Sequence, residues 1–460
     1  MKSEWVAIIG IFTLAFLTNP AFGVPKDPMA SDNETYFLQQ FGLTLDNIFW
    51  GEFHSHSNYS TDASKCQAYS PDRAYRYARD MAKLNFVALS DHAEEQNAKA
   101  ISFHHRREGL NNWQSLLKTN LQYNNEDPAK GKVFIIFPAW EYTNTYGLQN
   151  ICGSAQGYGH KNVLFKSLNQ DMLPENEYGV CNVATEYLVP DANSLWGVLQ
   201  NYRPSEVGDE GAALTIIHTP ANVGDGIGDP QDHRTDWGVM DPDFVRHVEI
   251  YSKWGNSEGP PTLGLGCSEE ESFEYTSGPE GYPLSIRTTL YHYWVEQGNS
   301  NFLLGFIGGT DNHKGQPGNS SKNQCNYPYR GGITGIAAPD LTRDHLWTHL
   351  WKRHTLATST GARIEILFAV ETEGMHLFMG EQGDHNGTVR VRTLASTTAE
   401  KLELIVDGCV YSAVSGNALD TTLSLNPSRH YIYIRASIQN RSGELFKAWT
   451  SPVYLGMPAQ

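Results

Sequence analysis

The sequence predicts an α/β fold in which a barrel of β–α units precedes a small antiparallel β unit. Three observations carry this. Between Asn47 and Ala338, short and nearly continuous apolar runs alternate with helix-like segments, as strands buried on both faces of a parallel sheet or barrel require. After Gly361 the runs become apolar–polar alternations broken by Gly, Asn and Asp turns, the pattern of antiparallel strands. The 460-residue chain is also 40% hydrophobic and only 18% charged, enough apolar material for a large core.

At the N-terminus, Met1-Lys2 precedes an apolar run from Trp5 to Leu17, and Ala21-Phe22-Gly23 supplies the small residues of a cleavage site. Residues 1–23 are therefore expected to be a signal peptide, because the run is too short to cross a bilayer. The mature chain is expected to be exported, periplasmic or secreted, with no stable membrane insertion. The barrel is expected over 24–363, with strands at 47–53, 86–89, 133–137, 162–165, 213–217, 248–251 and 302–307. Ser70-Pro71-Asp72 opens a helix: Ser caps, Pro takes the first position, and Asp meets the positive end of the dipole. Residues 289–297 and 342–353 read as further helices. Trp347 and Trp351, four apart on the last one, read as core. The run His104-His105-Arg106-Arg107 reads as a solvated helix face. The C-terminal unit, 364–460, holds strands at 364–368, 389–392, 402–406, 431–435 and 448–454 and is expected to be a sandwich packed on the barrel.

Charge and cysteines narrow the class. Lys and Arg number 34 and Asp and Glu 51, a formal charge of −17. Phosphate backbones need clustered cations, so nucleic acid is excluded as a general partner, and an anionic membrane with it. The 12% aromatic content with 11 Trp excludes disorder. Cys66, Cys152, Cys181, Cys267, Cys325 and Cys409 form no C-x-x-C pair, and in an exported chain they read as disulfides whose pairing the spacing leaves open. Asn33, Asn319, Asn386 and Asn440 open glycosylation sequons, which act only in a eukaryote.

The chemistry gathers where the expected strands end. Strand one runs into His54-Ser55-His56, two histidines that share a strand face, with Asp62 soon after. Strand two ends in Asp91-His92 and strand three in Glu141. Strand four begins beside His160, strand five ends at His218, and the last strand runs into Asp311-Asn312-His313. Barrel strands converge on one mouth at their C-terminal ends. Imidazole and carboxylate are the ligands of Zn, Mn or Fe. Buried together without cations, these groups would carry a large desolvation cost. Six of the 17 histidines of the chain thus read as parts of one metal site.

The order His-x-His, Asp, Asp-His, Glu, His, His, Asp-x-His resembles the PHP superfamily, named for its polymerase and histidinol phosphatase members. It is most similar to a secreted, largely uncharacterised PHP-like family of metal-dependent hydrolases. The likeness rests on Trp50-Gly51-Glu52-Phe53-His54-Ser55-His56, Ser70-Pro71-Asp72-Arg73-Ala74-Tyr75, Ser90-Asp91-His92-Ala93-Glu94, Gly159-His160-Lys161-Asn162, Gly309-Thr310-Asp311-Asn312-His313 and Thr358-Ser359-Thr360-Gly361. It implies a distorted (β/α)7 PHP-type barrel with two or three divalent metal ions in its mouth. His54 and His56 with Asp311 would hold the first, Glu141 would bridge to a second completed by His160 and His218, and Asp62, His92 and His313 would hold a third. Many relatives carry histidine where Asp62 stands, so Mn or Fe gains on Zn there.

The implied activity is hydrolysis of a phosphate or phosphonate ester by a metal-bridging hydroxide, with His54, His56, Glu141 and Asp311 as the catalytic core. The chain has no Gly-x-Ser-x-Gly elbow to supply a serine nucleophile. Lys161, Lys253 and Arg330 are candidates for binding a small anionic substrate, with His233 in a loop nearby; Glu249 is a candidate for orienting a ligand or, equally, for a structural hydrogen bond. Two other readings stand beside this one. An amidohydrolase-like enzyme would cleave C–N or C–O bonds, and a non-catalytic metal- or carbohydrate-binding protein would use the same barrel.

Overall fold

The computed structural model describes residues 27–92, 103–142, 159–169, 195–197, 199–206, 209–220, 235–259, 267, 285–322, 325, 329–440 and 442–456. The expected signal peptide, Cys152, Cys181 and His233 lie outside the described residues. So do the side chains of the run from His104 to Arg107.

The chain enters through the helix Pro28–Phe41. Asp27 caps it by accepting the Met29 amide, and Gly42 ends it in the left-handed conformation that glycine adopts without strain. Ala30, Tyr36 and Phe37 share a core with the C-terminal strands. Buried Asn33 locks this docking, donating through Nδ2 to the carbonyls of Thr393 at 2.9 Å and Leu419 at 3.0 Å. Asn33→Ala strands both acceptors, and a loss of about 1–3 kcal/mol is expected in urea unfolding; an unchanged midpoint would show that the helix docks by its apolar face alone.

Two mixed sheets follow. In the first, β1 (Ile48–Glu52), β2 (Phe86–Val87) and β3 (Ile135–Ile136) run parallel. The second holds β4 (Ala139–Tyr142), β5 (His160–Phe165), β6 (Ala213–His218), β7 (Val245–Ser252), β8 (Gly255–Asn256) and β9 (Gly305–Gly308). Here β6, β7 and β9 are parallel, but β5 is antiparallel to both β4 and β6. The expected succession of parallel β–α units therefore holds only for two triplets of strands. Among the described residues the sheets do not close into one hydrogen-bonded barrel. They meet through two isolated parallel bridges, Ser55 with Asn312 and His92 with Glu141. An apolar run such as 162–165 has the same composition in either direction, so the reversal of β5 left no local trace.

β10 (Ile333–Ala337) returns antiparallel to β1, and β11 (Thr355–Thr358) antiparallel to β10. The C-terminal strands are β12 (Ile366–Thr372), β13 (Met375–Phe378), β14 (Gln382–Asp384), β15 (Thr388–Val406), β16 (Cys409–Ser424), β17 (His430–Gln439), β18 (Leu445–Thr450) and β19 (Val453–Gly456). They are antiparallel, as expected, except that β14 and β19 pair in parallel. They do not form a separate sandwich: β18 pairs with β11, so one sheet runs β13-β12-β15-β17-β18-β11-β10-β1-β2-β3. Alternation reveals which strands are half-buried, but not which edge they join.

One apolar cluster holds Phe53, Phe86, Ile135, Leu164, Leu214, Ile216, Ile307 and Ile336, with Trp347, Leu350 and Trp351. The last three come from the helix Arg343–Trp351, which confirms the core reading of both tryptophans. Ser70 takes the N-cap position of the helix Pro71–Arg76, but its hydroxyl bonds the Asp72 carboxylate rather than a helix amide. A fully buried ion network joins the loop after β8 to the C-terminal strands. Glu258 accepts from Arg287 Nη2 at 3.1 Å, Arg435 Nη1 at 3.2 Å, Tyr433 Oη at 2.7 Å and Trp449 Nε1 at 2.9 Å. Arg435 Nε also reaches Glu403 at 2.7 Å. Disulfides join Cys66 to Cys325 and Cys267 to Cys409.

Candidate metal centre

The chain leaving β1 keeps strand alternation, so His54 and His56 project to one side. The reversed β5 has its N-terminal end at the same level, which is why His160, its first residue, sits directly across from His218, the last residue of β6. In an all-parallel arrangement a residue opening a strand would face the opposite end. Glu141 comes from β4, His92 from the bridge beside it, and Asp311 and His313 from the segment after β9. Buried Glu52 holds that segment by accepting the amides of Thr310, at 2.6 Å, and Gly318. Asp311 has φ +47° and Thr219, next to His218, φ +48°, left-handed conformations that cost non-glycine residues energy and cluster at functional sites.

Three groups of donor atoms converge. Around one point, His54 Nε2 lies 3.1 Å from Asp311 Oδ1 and 3.4 Å from Glu141 Oε2; His56 Nε2 lies 2.9 and 3.3 Å from the same atoms. His54 Nε2, His56 Nε2 and Asp311 Oδ1 are buried without a hydrogen bond. The other Glu141 oxygen, Oε1, faces a second group: His160 Nδ1 at 2.9 Å, His218 Nε2 at 3.3 Å and His92 Nδ1 at 3.4 Å. In the third, Asp62 Oδ2 meets His92 Nε2 at 3.2 Å and His313 Nε2 at 2.6 Å. Ligands about 2.0–2.2 Å from an ion stand roughly 3–3.5 Å apart. The spacings fit, and several of these His and Glu clusters can hold metal ions.

The electrostatics favour cations. Burial pushes the Glu141 carboxyl up, but the imidazoles of His92 and His218 outweigh this and hold it well below the usual range. Burial likewise raises Asp311, and His54, Lys253 and His313 bring it well below its ordinary value. For Asp62, His92 and His313 overcome the burial effect in the same way. Burial lowers His54, yet Asp311 and Glu249 raise it well above an ordinary histidine.

The candidates from the sequence separate clearly. His54, His56, Asp62, His92, Glu141, His160, His218, Asp311 and His313 come together. Lys253 joins them, its Nζ 3.3 Å from Asp311 Oδ1. Lys161 follows His160 on β5 and so lies on the other strand face, its ammonium 5.8 Å from the Tyr142 ring centre; burial lowers its pKa to about 7. Arg330 forks onto Glu444 with two 2.9 Å contacts, toward the β17–β18 turn. Glu249 is 2.9 Å from His54 Nδ1, where it holds that ring. Sequence reasoning missed Trp254, whose Nε1 donates to Asp311 Oδ2 at 2.6 Å, and the serines beside His56. Ser60 follows His56 by only four residues, whereas nothing local marks Trp254. The Cys66–Cys325 disulfide ties the end of the helix carrying Asp62 to the segment beyond His313.

Comparison with known proteins adds three findings. Residues 44–98 match a family described as a protein of unknown function, DUF3604. An uncharacterized protein of Chlamydia pneumoniae is 22% identical over 439 residues, covering 91% of this chain; the chain spans 59% of that protein's length. A solved two-domain protein from Bacteroides vulgatus, containing a predicted PHP-like metal-dependent phosphoesterase, aligns over 86% of this chain and 91% of its own, at 12% identity and a TM-score of 0.36.

Proposed function

We propose that this protein is an exported metal-dependent hydrolase that cleaves phosphate or phosphonate esters, with two or three divalent ions (Mn, Zn or Fe) in the mouth of a distorted (β/α)7 barrel spanning residues 24–363. One observation carries the reading: buried imidazole and carboxylate atoms from six separate segments converge at metal-ligand spacing, several of them without hydrogen bonds. Hydrocarbon-like burial of so many ionisable groups is costly, and cations remove the cost.

Bound ions would supply Lewis acidity and lower the pKa of a shared water to about 7, making hydroxide available at neutral pH. The chain's own groups do the rest. Glu141 turns one oxygen to each of two ligand sets and so fixes their separation. Glu249 holds His54, and Trp254 holds the outer oxygen of Asp311, leaving His54 Nε2 and Asp311 Oδ1 aimed inward. The Lys253 ammonium borders Asp311 and His313, where it would meet an anionic substrate. Two or three divalent ions add roughly +4 to +6 locally, so an acidic protein can still present a cationic pocket.

Export is proposed on the signal-like residues 1–23. The two disulfides are compatible with it, and no described helix is long and apolar enough to cross a membrane. The test is to count metals in the mature protein and then screen phosphomonoesters, phosphodiesters and phosphonate esters with Mn, Zn and Fe, using His56→Ala as the blank. Hydrolysis of at least one class, abolished by chelation and by the variant, is expected. Bound metal with no phosphoester turnover, or turnover unaffected by chelation, would remove the substrate class.

A further inference from the structure

The two histidines of the His-x-His pair are held differently. His54 is held directly by a carboxylate, that of Glu249. Among the described residues, no carboxylate stands at His56 Nδ1; the contact there is the Ser60 hydroxyl, at 3.0 Å. Ser60 is only 1% exposed, and its hydroxyl has two other partners. The backbone amide of His92 donates to it at 2.9 Å, and it lies 2.9 Å from Asp91 Oδ1.

A hydroxyl has one proton to give and two lone pairs to accept with. The amide can only donate, which occupies one lone pair. The carboxylate can only accept, which takes the hydroxyl proton. The remaining lone pair therefore faces His56, and Nδ1 must carry the hydrogen. In the neutral ring this leaves the lone pair on Nε2, the atom pointing at Asp311 and Glu141. Asp91 is itself held: Oδ1 accepts the Ser57 amide at 2.7 Å, and Oδ2 accepts the Ser57 hydroxyl at 2.7 Å.

We propose that Ser60, backed by Asp91, is a positioning residue that acts through His56, fixing the tautomer of its ring. The inference rests on the metal-centre reading above. It makes Asp91 the remote carboxylate of a carboxylate–hydroxyl–imidazole relay, where His54 has the direct form. Outer partners of this kind typically change metal affinity by about 10–100-fold.

The test uses the mature protein and its Ser60→Ala, Ser60→Thr, His56→Ala and Ser60→Ala/His56→Ala variants. Ions per chain are counted, and affinity for Mn and Zn is measured by competition with a chelator. Ser60→Ala is expected to weaken binding of one ion by about 10–100-fold, and Ser60→Thr, which keeps the hydroxyl, to restore it to within about 3-fold. In the His56→Ala background the serine change should have no further effect, because Ser60 acts through that ring; this cycle decides between the outcomes even if the threonine variant does not fold. Wild-type affinity in Ser60→Ala, or equal and additive losses in both backgrounds, would overturn the proposal while leaving the metal centre intact. A wild-type protein that binds no ion would overturn the metal-centre reading itself.

Discussion

Glu141→Gln is expected to abolish hydrolysis, by at least about 10³-fold, and to cost the protein ions from two ligand sets at once. The carboxylate is buried, and its two oxygens face different groups, His54, His56 and Asp311 on one side and His92, His160 and His218 on the other. An amide of the same shape presents N–H hydrogens to one of these sets, where a cation should sit. A loss of about 4 kcal/mol or more of charge stabilisation corresponds to that factor in rate. Metal analysis beside kinetics separates the causes. Normal metal content with lost activity would mean that Glu141 acts in chemistry and not as a bridge; normal activity would end the assignment of this site.

The largest stability effect is expected outside the candidate metal centre. Glu258→Gln takes from the buried Arg287 and Arg435 the carboxylate they share beneath Tyr433 and Trp449, leaving Glu403 to Arg435, and breaking a buried pair this way typically costs about 3–5 kcal/mol. Burial raises the Glu258 pKa, but Arg287 and Arg435 outweigh burial and hold it well below the usual carboxylate range. Its folded pKa is thus depressed. The stabilisation is complete above the unfolded value of about 4.3 and is lost as pH falls from there toward the folded value. The gap between wild type and Glu258→Gln in urea unfolding should therefore be constant from pH 8 to about 5 and narrow below about 4. A gap that stayed constant into strong acid would show that the cost is one of packing, not charge.

Much of the candidate site was legible because period-two alternation and apolar runs reveal strands: His54 and His56 follow β1, His92 follows β2, Glu141 lies in β4 and His218 ends β6. His160 was legible as a residue but not as a position. It opens its strand, and only the antiparallel course of β5 turns that opening toward His218. Lys161 and Arg330 show the converse. Proximity in sequence to a ligand, or to a predicted mouth, says nothing about the side to which a cation points. The C-terminal strands were legible one by one, yet their joining to β11 was not.

What the sequence determined by itself is chemistry and local form: which residue types can bind a divalent ion, and where apolar runs allow strands. These follow from side-chain ligand chemistry and from repeats of two residues, which a single chain displays openly. Tertiary structure alone decided strand direction, the shared sheet, the Glu258 network and the Ser60–Asp91 relay. Each depends on groups far apart in sequence meeting in space, and a hydrogen bond between residues such as Arg435 and Glu258 leaves no pattern in either neighbourhood.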